Sequence, residues 1–265
     1  LGYPGTMGSP FMDYIIADPV IISEELQKYY SEKIVYLPNS YQVNDDQKEI
    51  SAQIFSKEEL GLPSDKFIFC CFNNNFKITP DIFNVWMNIL KRVEDSVLWL
   101  FEDNEFIQNN LIREAESRGA SGSRLIFAKR ISQKEHLARH RAADLFLDTL
   151  PYNAHTTASD ALWCGLPVVT IIGNSFPARV AASLLNAVDL PELITQSPEE
   201  YESLAVKLAT DSAELKRVKA KLEENRLKMP LFNTKLFCCH LESAYKQVQQ
   251  HYLNDSKPEH IIVSD

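Results

Sequence analysis

The sequence lacks the features that mark several large classes of protein. No apolar run approaches the length needed to span a bilayer, and no basic stretch followed by an apolar one opens the chain. The formal net charge is -9, whereas binding to a polyanion needs a basic face. We therefore expect no membrane segment and no nucleic-acid partner, with the cytoplasm as the default location.

The signatures of several catalytic sites are missing as well. The chain has no GxGxxG, GxxxxGK[ST], GxSxG or HExxH motif, and no paired-acid DxD that would hold a metal against a sugar nucleotide. These absences disfavour a nicotinamide or flavin site, a phosphate-loop NTPase and a metal centre. A diphosphate neutralised by a lysine and a helix terminus, without cofactor or metal, is the possibility that remains.

The cysteines suit neither disulfides nor zinc. Two adjacent pairs and a single residue make up the odd total of five: Cys70, Cys71, Cys164, Cys238 and Cys239. There is no CxxC and no histidine at ligand spacing, so we predict buried thiols.

From about residue 66 onward, apolar runs alternate with helical patterns. Strands are predicted at 67–72, 96–101, 125–127 and 144–148, with a helix after each. This alternation predicts an α/β fold with a parallel sheet and helices on both faces. Ligands in such sheets bind at the carboxyl ends of the strands.

The stretch DTLPYNAHTTASDALWCGLPVVT at 148–170 is the strongest candidate for a functional site. It reads as a strand end, a polar loop and a helix that begins at His155, Thr156 and Thr157. The unpaired N–H groups of a first helical turn and the positive end of the helix dipole favour a phosphate there. Asp160 can accept hydrogen bonds from a ribose. The alternative is that these residues only cap a helix.

Two further polar groups follow predicted strands. Lys77 ends the run NNNFK and can supply a positive charge to a diphosphate, although most lysines are simply solvated. His136 and Arg139 lie about one turn apart on the same side of the predicted helix and can meet a nucleotide. An exposed surface is the equal alternative for them, and Ser132 with Glu135 fits a capping box.

Several motifs together resemble the O-linked N-acetylglucosamine transferase family. They are LGYPGT and FMDYII near the start, FNNNFKI, RLIF, NAHTTASDALWCGLPVVT, ARVAAS and PLFNTK, in that order along the chain. The similarity covers nearly the whole sequence. It implies a GT-B glycosyltransferase with two Rossmann-like lobes, which moves N-acetylglucosamine from UDP-GlcNAc to Ser or Thr hydroxyls of proteins, with inversion and without a metal.

The resemblance also implies how the chain is divided. Residues 1–45 would end an incomplete first lobe, 46–65 would link the lobes, and 66–265 would form the donor-binding lobe with the terminal helices. Because the chain starts at Leu1 rather than Met, we expect a piece of a longer protein, with tetratricopeptide repeats and the start of the first lobe upstream. The interlobe insert of animal members is absent, which is typical of a bacterial-type form.

Residue roles follow from the matching positions. Lys77 and His155 would be catalytic, with Lys77 stabilising the departing UDP. Gly2 and Pro4 would line the entry for sugar and acceptor. The implied donor-binding residues are Asn74, Lys77, Ile131, His136, Arg139, His155, Thr156, Thr157 and Asp160.

Three positions depart from the family. Asn74 stands where Gln is common, Gln133 where Lys is usual, and Tyr152 where a small residue lies beside the sugar. At these positions we expect nucleotide affinity and donor preference to differ. The alternatives are therefore a related transferase using another UDP-sugar, such as UDP-glucose, and a non-catalytic nucleotide-sugar-binding or scaffold module.

Overall fold

Six parallel strands form the larger of two sheets in the computed structural model, which describes residues 3–264. Apolar residues fill these strands, and most are buried, as expected for a parallel sheet covered by helices. The strands are β3 (Phe67–Cys71), β4 (Ser96–Phe101), β5 (Leu125–Ala128), β6 (Leu145–Leu147), β7 (Val168–Ile171) and β8 (Ile194–Thr195). The predicted parallel α/β sheet is confirmed.

The strand order is β5-β4-β3-β6-β7-β8, so the chain first builds outward from β3 in one direction and then returns to build outward from β6. This is the order of the Rossmann fold. The order reverses between β3 and β6, which pair directly through Phe69–Leu145 and Cys70–Phe146. Loops leaving these two strands diverge and open a crevice at the carboxyl end of the sheet.

Helices connect and cover the strands. Sequence signals set their ends: Thr79 caps the first helix through the N–H of Ile82, and Pro80 occupies its first position. This helix buries one apolar face, including Phe83 and Trp86. The helices are α1 (Pro80–Arg92), α2 (Glu105–Ser117), α3 (Gln133–Arg139), α4 (Thr156–Trp163), α5 (Val180–Ala187), α6 (Pro198–Thr210), α7 (Ser212–Asn225) and α8 (Thr234–Leu253).

A second, smaller sheet joins the two ends of the chain. Its strands are β1 (Tyr14–Ala17), β2 (Lys33–Tyr36) and β9 (Ile261–Ile262), in the order β1-β2-β9 and all parallel. The long helix α8 runs back from the large sheet, and its Ala244 joins Val35, Leu37 and β9 in a separate apolar cluster. The end of the chain is therefore packed against its beginning.

The thiol prediction is confirmed for part of the set. Cys70 and Cys71 are buried in β3, where desolvation raises the pKa of both thiols. It is wrong for Cys238 and Cys239, which are exposed on α8 because the outer face of that long helix stays in solvent. None of the helices in residues 3–264 is long and apolar enough to cross a bilayer.

Candidate active site

Two loops meet where the strand order reverses. One follows β3 and contains Asn73 to Lys77, and the other follows β6 and contains Asp148 to His155. We call the second loop, together with Asn73 and Lys77, the β6 cluster. Because β3 and β6 are paired neighbours, the two predicted groups of polar residues lie side by side at one edge of the sheet.

Asp148 organises the β6 cluster. Its Oδ1 accepts hydrogen bonds from the N–H groups of Thr149 (2.7 Å) and Ala154 (2.6 Å), and its Oδ2 accepts one from Thr170 Oγ1 (2.6 Å). Burial raises the pKa of this carboxyl to about 6, against those hydrogen bonds and the nearby Lys77, which lower it. Asp148 thus folds the loop back and sets where the following helix begins.

The importance of Asp148 was missed from the sequence. From the sequence, Asp148 reads only as the last residue of the strand predicted at 144–148. A carboxylate that directly follows a buried strand and precedes a loop of small and polar residues was the available signal, because such a group is positioned to accept the loop's N–H groups.

Lys77 is drawn into the same cluster. Its Nζ donates to the backbone oxygen of Asn153 (2.8 Å) and lies 4.2 Å from the centre of the Tyr152 ring. Desolvation lowers the pKa of this ammonium, while the charge of Asp148 opposes the shift. The lysine is therefore held in place and partly dehydrated, a setting in which a positive charge acts more strongly than in water.

His155 contacts the same ring. It stacks on Tyr152 with the ring centres 4.9 Å apart, and its Nε2 is 3.4 Å from the backbone oxygen of Pro177. Burial and, next, the charge of Lys77 lower the pKa of His155 to about 4. The imidazole is thus neutral at pH 7. Lys77 and His155 are therefore brought together around Tyr152, rather than placed on opposite sides of the sheet.

The two threonines that begin α4 behave differently. Thr157 donates its hydroxyl to Asn73 Oδ1, which ties the helix start to the loop after β3, whereas the side chain of Thr156 is exposed. Both stand in the first helical turn, where backbone N–H groups have no partner within the helix. The turn faces the crevice with free donors and the positive end of a helix dipole.

A second group of polar residues surrounds the ring of Phe72; with Ile131, we call it the α3 cluster. His136 and His140 each approach Phe72 with ring centres 5.1 Å apart, and the Cζ of Arg139 lies 5.0 Å above it. Desolvation lowers the pKa of His136 to about 3 and of His140 to about 4. The structure therefore excludes the solvated surface that was the alternative for this region.

Arg139 is the most unusual member of the α3 cluster. It is 2% exposed, and only its Nη1 has a partner among the described residues, the oxygen of Lys129 at 2.6 Å. Its Nε and Nη2 are buried without one. A cavity of about 530 Å³, lined by Arg139, Ile131, Trp99 and residues of the segment before β3, lies beside it. Buried donors without acceptors next to a cavity suit a polar ligand.

The remaining predicted residues are more scattered. Asn74 is exposed, and its backbone oxygen accepts from the N–H of Lys77 (3.0 Å). Pro4 lines a cavity of about 440 Å³ that also borders His155 and Tyr152. Gly2 lies outside the described residues. Asp160 is ion-paired with Lys48, a residue that sequence reasoning did not single out.

The site as described contains no candidate metal centre. In residues 3–264, no group of three or more His, Cys, Asp or Glu side chains could hold a metal ion. The cationic and N–H groups that face the crevice suit an anion instead.

The fold and this crevice define a Rossmann-type α/β protein with a group of polar residues at the reversal of strand order. Comparison of the sequence with known families gives the particular one. The profile of glycosyl transferase family 41 matches residues 1–52 and 46–241. The chain belongs to glycosyl transferase family 41.

Relatives and solved structures agree. The chain is 37% identical, over 99% of its length, to a probable UDP-N-acetylglucosamine–peptide N-acetylglucosaminyltransferase, SEC, of Arabidopsis thaliana, and spans 28% of that protein. It is 36% identical, over 80% of its length, to the Caenorhabditis elegans enzyme of the same activity, and spans 18% of it. A mutant O-GlcNAc transferase of Thermobaculum terrenum superposes with a TM-score of 0.80 at 28% identity, over 93% of this chain and 47% of that one. The family resemblance and the GT-B architecture are thereby confirmed.

Proposed function

We propose that this chain is the donor-binding part of a protein O-N-acetylglucosaminyltransferase that takes its sugar from UDP-GlcNAc. One observation carries the proposal: Lys77, His155 and the start of α4 converge on one crevice at the reversal of strand order. A pyrophosphate fits this combination of a fixed ammonium, a neutral imidazole and free N–H groups.

Each cluster takes one part of the donor. The β6 cluster would hold the diphosphate, with Lys77 on its β-phosphate and the first turn of α4 on the remaining oxygens. The α3 cluster would hold the uracil, since it combines aromatic faces with the buried donors of Arg139. Asp160, between them, would bind the ribose. Asn74, Ile131 and Pro4 would contact the donor or the acceptor at the rim.

The chemistry that this arrangement supports is displacement at the anomeric carbon. The acceptor hydroxyl oxygen forms a bond to that carbon from the face opposite UDP, which inverts its configuration, while the bond to the phosphate oxygen breaks and the hydroxyl proton is released to water. The electron pair leaves with UDP, and the charge that develops on the β-phosphate is stabilised by Lys77 and the helix start. These groups provide that stabilisation without a metal.

We assign residues 1–45 to the end of a first lobe, 46–65 to the linker and 66–265 to the donor-binding lobe. The large sheet within residues 66–265 and the long connection before it support this division, although β9 near the end of the chain pairs with β2 of the first lobe. The rest of the first lobe and tetratricopeptide repeats would complete the protein and its acceptor site. The free thiols of Cys238 and Cys239 on the surface support a reducing compartment, the cytoplasm.

Another UDP-sugar is the second candidate donor, and one observation favours it. The Tyr152 ring contacts both Lys77 and His155, so it takes up space next to the place assigned to the sugar. UDP-GlcNAc and UDP-glucose should therefore be compared in competition with UDP. Tighter binding of UDP-glucose would change the donor assignment and leave the nucleotide site intact.

Calorimetry with UDP tests the proposal directly. We expect binding with a Kd between about 1 µM and 1 mM, weakened at least about tenfold by Lys77→Met, because a charge-assisted contact to phosphate is lost. Lys91→Met, which removes an exposed lysine of α1, is the matched control and should leave the Kd unchanged. A folded wild-type chain that gives no heat with UDP would refute the site. Donor binding by the full-length protein without hydrolysis or transfer would instead identify a non-catalytic module.

A further inference from the structure

The segment before the large sheet is fixed to the helix that begins the candidate phosphate site. Gln42 Nε2 donates to Ser159 Oγ on α4 (2.7 Å), and Trp163 Nε1 at the end of α4 donates to the backbone oxygen of Lys48 (3.0 Å). Between these two anchors, the ammonium of Lys48 pairs with Oδ1 of Asp160. The lysine therefore reaches its partner from a backbone that is itself held on α4.

Asp160 lies between the two clusters. It stands four residues after Thr156 and three after Thr157, so it shares their face of α4. It is also near the α3 cluster, since its charge partly opposes the desolvation that lowers the pKa of His140. The carboxylate is therefore near both the start of α4 and the α3 cluster.

The two oxygens of Asp160 have different surroundings. Oδ1 is engaged by Lys48, whereas no donor to Oδ2 is found among residues 3–264. The side chain of Asp160 is 14% exposed and that of Lys48 is 27% exposed, so the pair is partly accessible to solvent. One oxygen is fixed and the other is free to accept.

We propose that Lys48 is a positioning residue for nucleotide binding, which holds Asp160 so that its free oxygen accepts from the ribose hydroxyls. This inference rests on the proposed function, because it takes a nucleoside diphosphate as the ligand. It adds a residue of the interlobe segment to the donor site. It also gives this segment a part in selecting a ligand with a ribose diol.

The competing explanation is a clamp that only fastens the segment to α4. A clamp would affect stability, or the binding of every nucleotide equally. A positioning residue affects only ligands that carry the hydroxyls. UDP and 2′,3′-dideoxy-UDP are therefore the two probes, and the ratio of their Kd values is the readout.

We expect wild type to prefer UDP, and Lys48→Met to weaken UDP binding about fivefold to tenfold, since the bond to a charged acceptor is misaligned. The Kd for dideoxy-UDP should change less than about twofold, and Lys48→Arg should restore most of the preference. In an Asp160→Asn background, Lys48→Met should leave the ratio unchanged. Glu49→Gln is the control, because it breaks the exposed ion pair of the next residue with Lys134.

The outcomes separate the two proposals. A wild-type chain that binds neither probe refutes the proposed function. A wild-type chain that prefers UDP, with the same preference in Lys48→Met, refutes the positioning role alone. Tighter binding of UDP by Lys48→Met also refutes it, because the lysine would then compete with the ribose. Urea unfolding of each variant confirms that binding is measured on folded protein.

Discussion

The two clusters that form the crevice satisfy their polar groups to different extents. In the β6 cluster, Asp148 accepts three hydrogen bonds shorter than 2.8 Å, and Lys77 has a backbone acceptor and an aromatic face. In the α3 cluster, two nitrogens of Arg139 and Nε2 of His140 are buried without partners among the described residues. The β6 cluster leaves one buried acceptor, Oδ1 of Asn153, unpaired among the described residues, whereas the unpaired donors are the two guanidinium nitrogens of the α3 cluster.

This contrast indicates a different role for the polar groups of each cluster. The β6 cluster uses its acid to hold a loop, so its geometry is part of the folded structure and does not wait for a ligand. The α3 cluster keeps unpaired donors in a desolvated place, which costs stability until an acceptor arrives. Substitution of the acid that holds the loop should therefore affect folding, whereas substitution of the unpaired guanidinium should affect binding.

The largest effect is expected from Asp148→Asn. The amide removes the charge and one acceptor oxygen while the donors around it remain buried, so the free energy of unfolding should fall by about 4 kcal/mol. Asp144→Asn is the matched control at the other end of β6. Its carboxylate accepts from the N–H of Ile68 (2.9 Å) and is partly exposed, so we expect a loss below about 1 kcal/mol. Urea unfolding at pH 7 compares the two, and similar losses would mean that Asp148 does not organise the loop.

Acid should reveal the same contrast as a pH dependence. The folded-state pKa is about 3 for His136 and about 4 for His140, both below the usual 6.5. The unfolded chain therefore binds protons first as the pH falls, so the stability that these histidines contribute is complete above pH 6.5 and is lost as the pH approaches their folded-state pKa values. Asp148 acts in the opposite sense, because its folded-state pKa of about 6 is raised and favours the fold at lower pH. His155, lowered to about 4, adds to the two histidines. The histidines outweigh the acid, and stability should fall from pH 6.5 to 4.

The share of one histidine can be isolated. His140→Phe should reduce the loss of unfolding free energy between pH 7 and 4 by about 3 kcal/mol, which is what a shift from 6.5 to about 4 is worth. Leu137→Ala, a buried apolar change in the same helix, should lower stability equally at both pH values. Urea unfolding across this range measures both. An unchanged slope in His140→Phe would show that this imidazole does not titrate with folding.

Local patterns in the sequence were enough to predict the sheet and to place two candidate residues at its carboxyl end. Lys77 and His155 each follow an apolar strand by a few residues, and the rule that ligands bind at carboxyl ends of parallel strands brings them together. The capping box at Ser132 also follows from residue type and spacing. These features depend on neighbours within one or two helical turns.

Features made by distant parts of the chain could not be predicted in this way. Lys48 reaches Asp160 across 112 positions, from a segment that reads only as a polar connector. Strand β9 is two residues long, which is too short for a periodic signal. It lies near the end of the chain and pairs with β2, which lies near the beginning. The burial of Arg139 on α3 depends on Phe72, which directly follows β3, and on Trp99 in β4. Tertiary packing decides each of these.

The smallest effect on folding, and the sharpest test of the contrast, is expected from Arg139→Met. Methionine fills a similar space without a buried charge, so the free energy of unfolding should stay within about 1 kcal/mol of wild type. UDP binding should weaken about tenfold, because the unpaired donors that would meet the uracil are gone. Arg141→Met, on an exposed residue two positions later, should change neither. Arg139→Met could instead unfold the protein while UDP still binds the folded fraction at wild-type affinity. That result would show that the guanidinium stabilises the fold and does not bind the ligand.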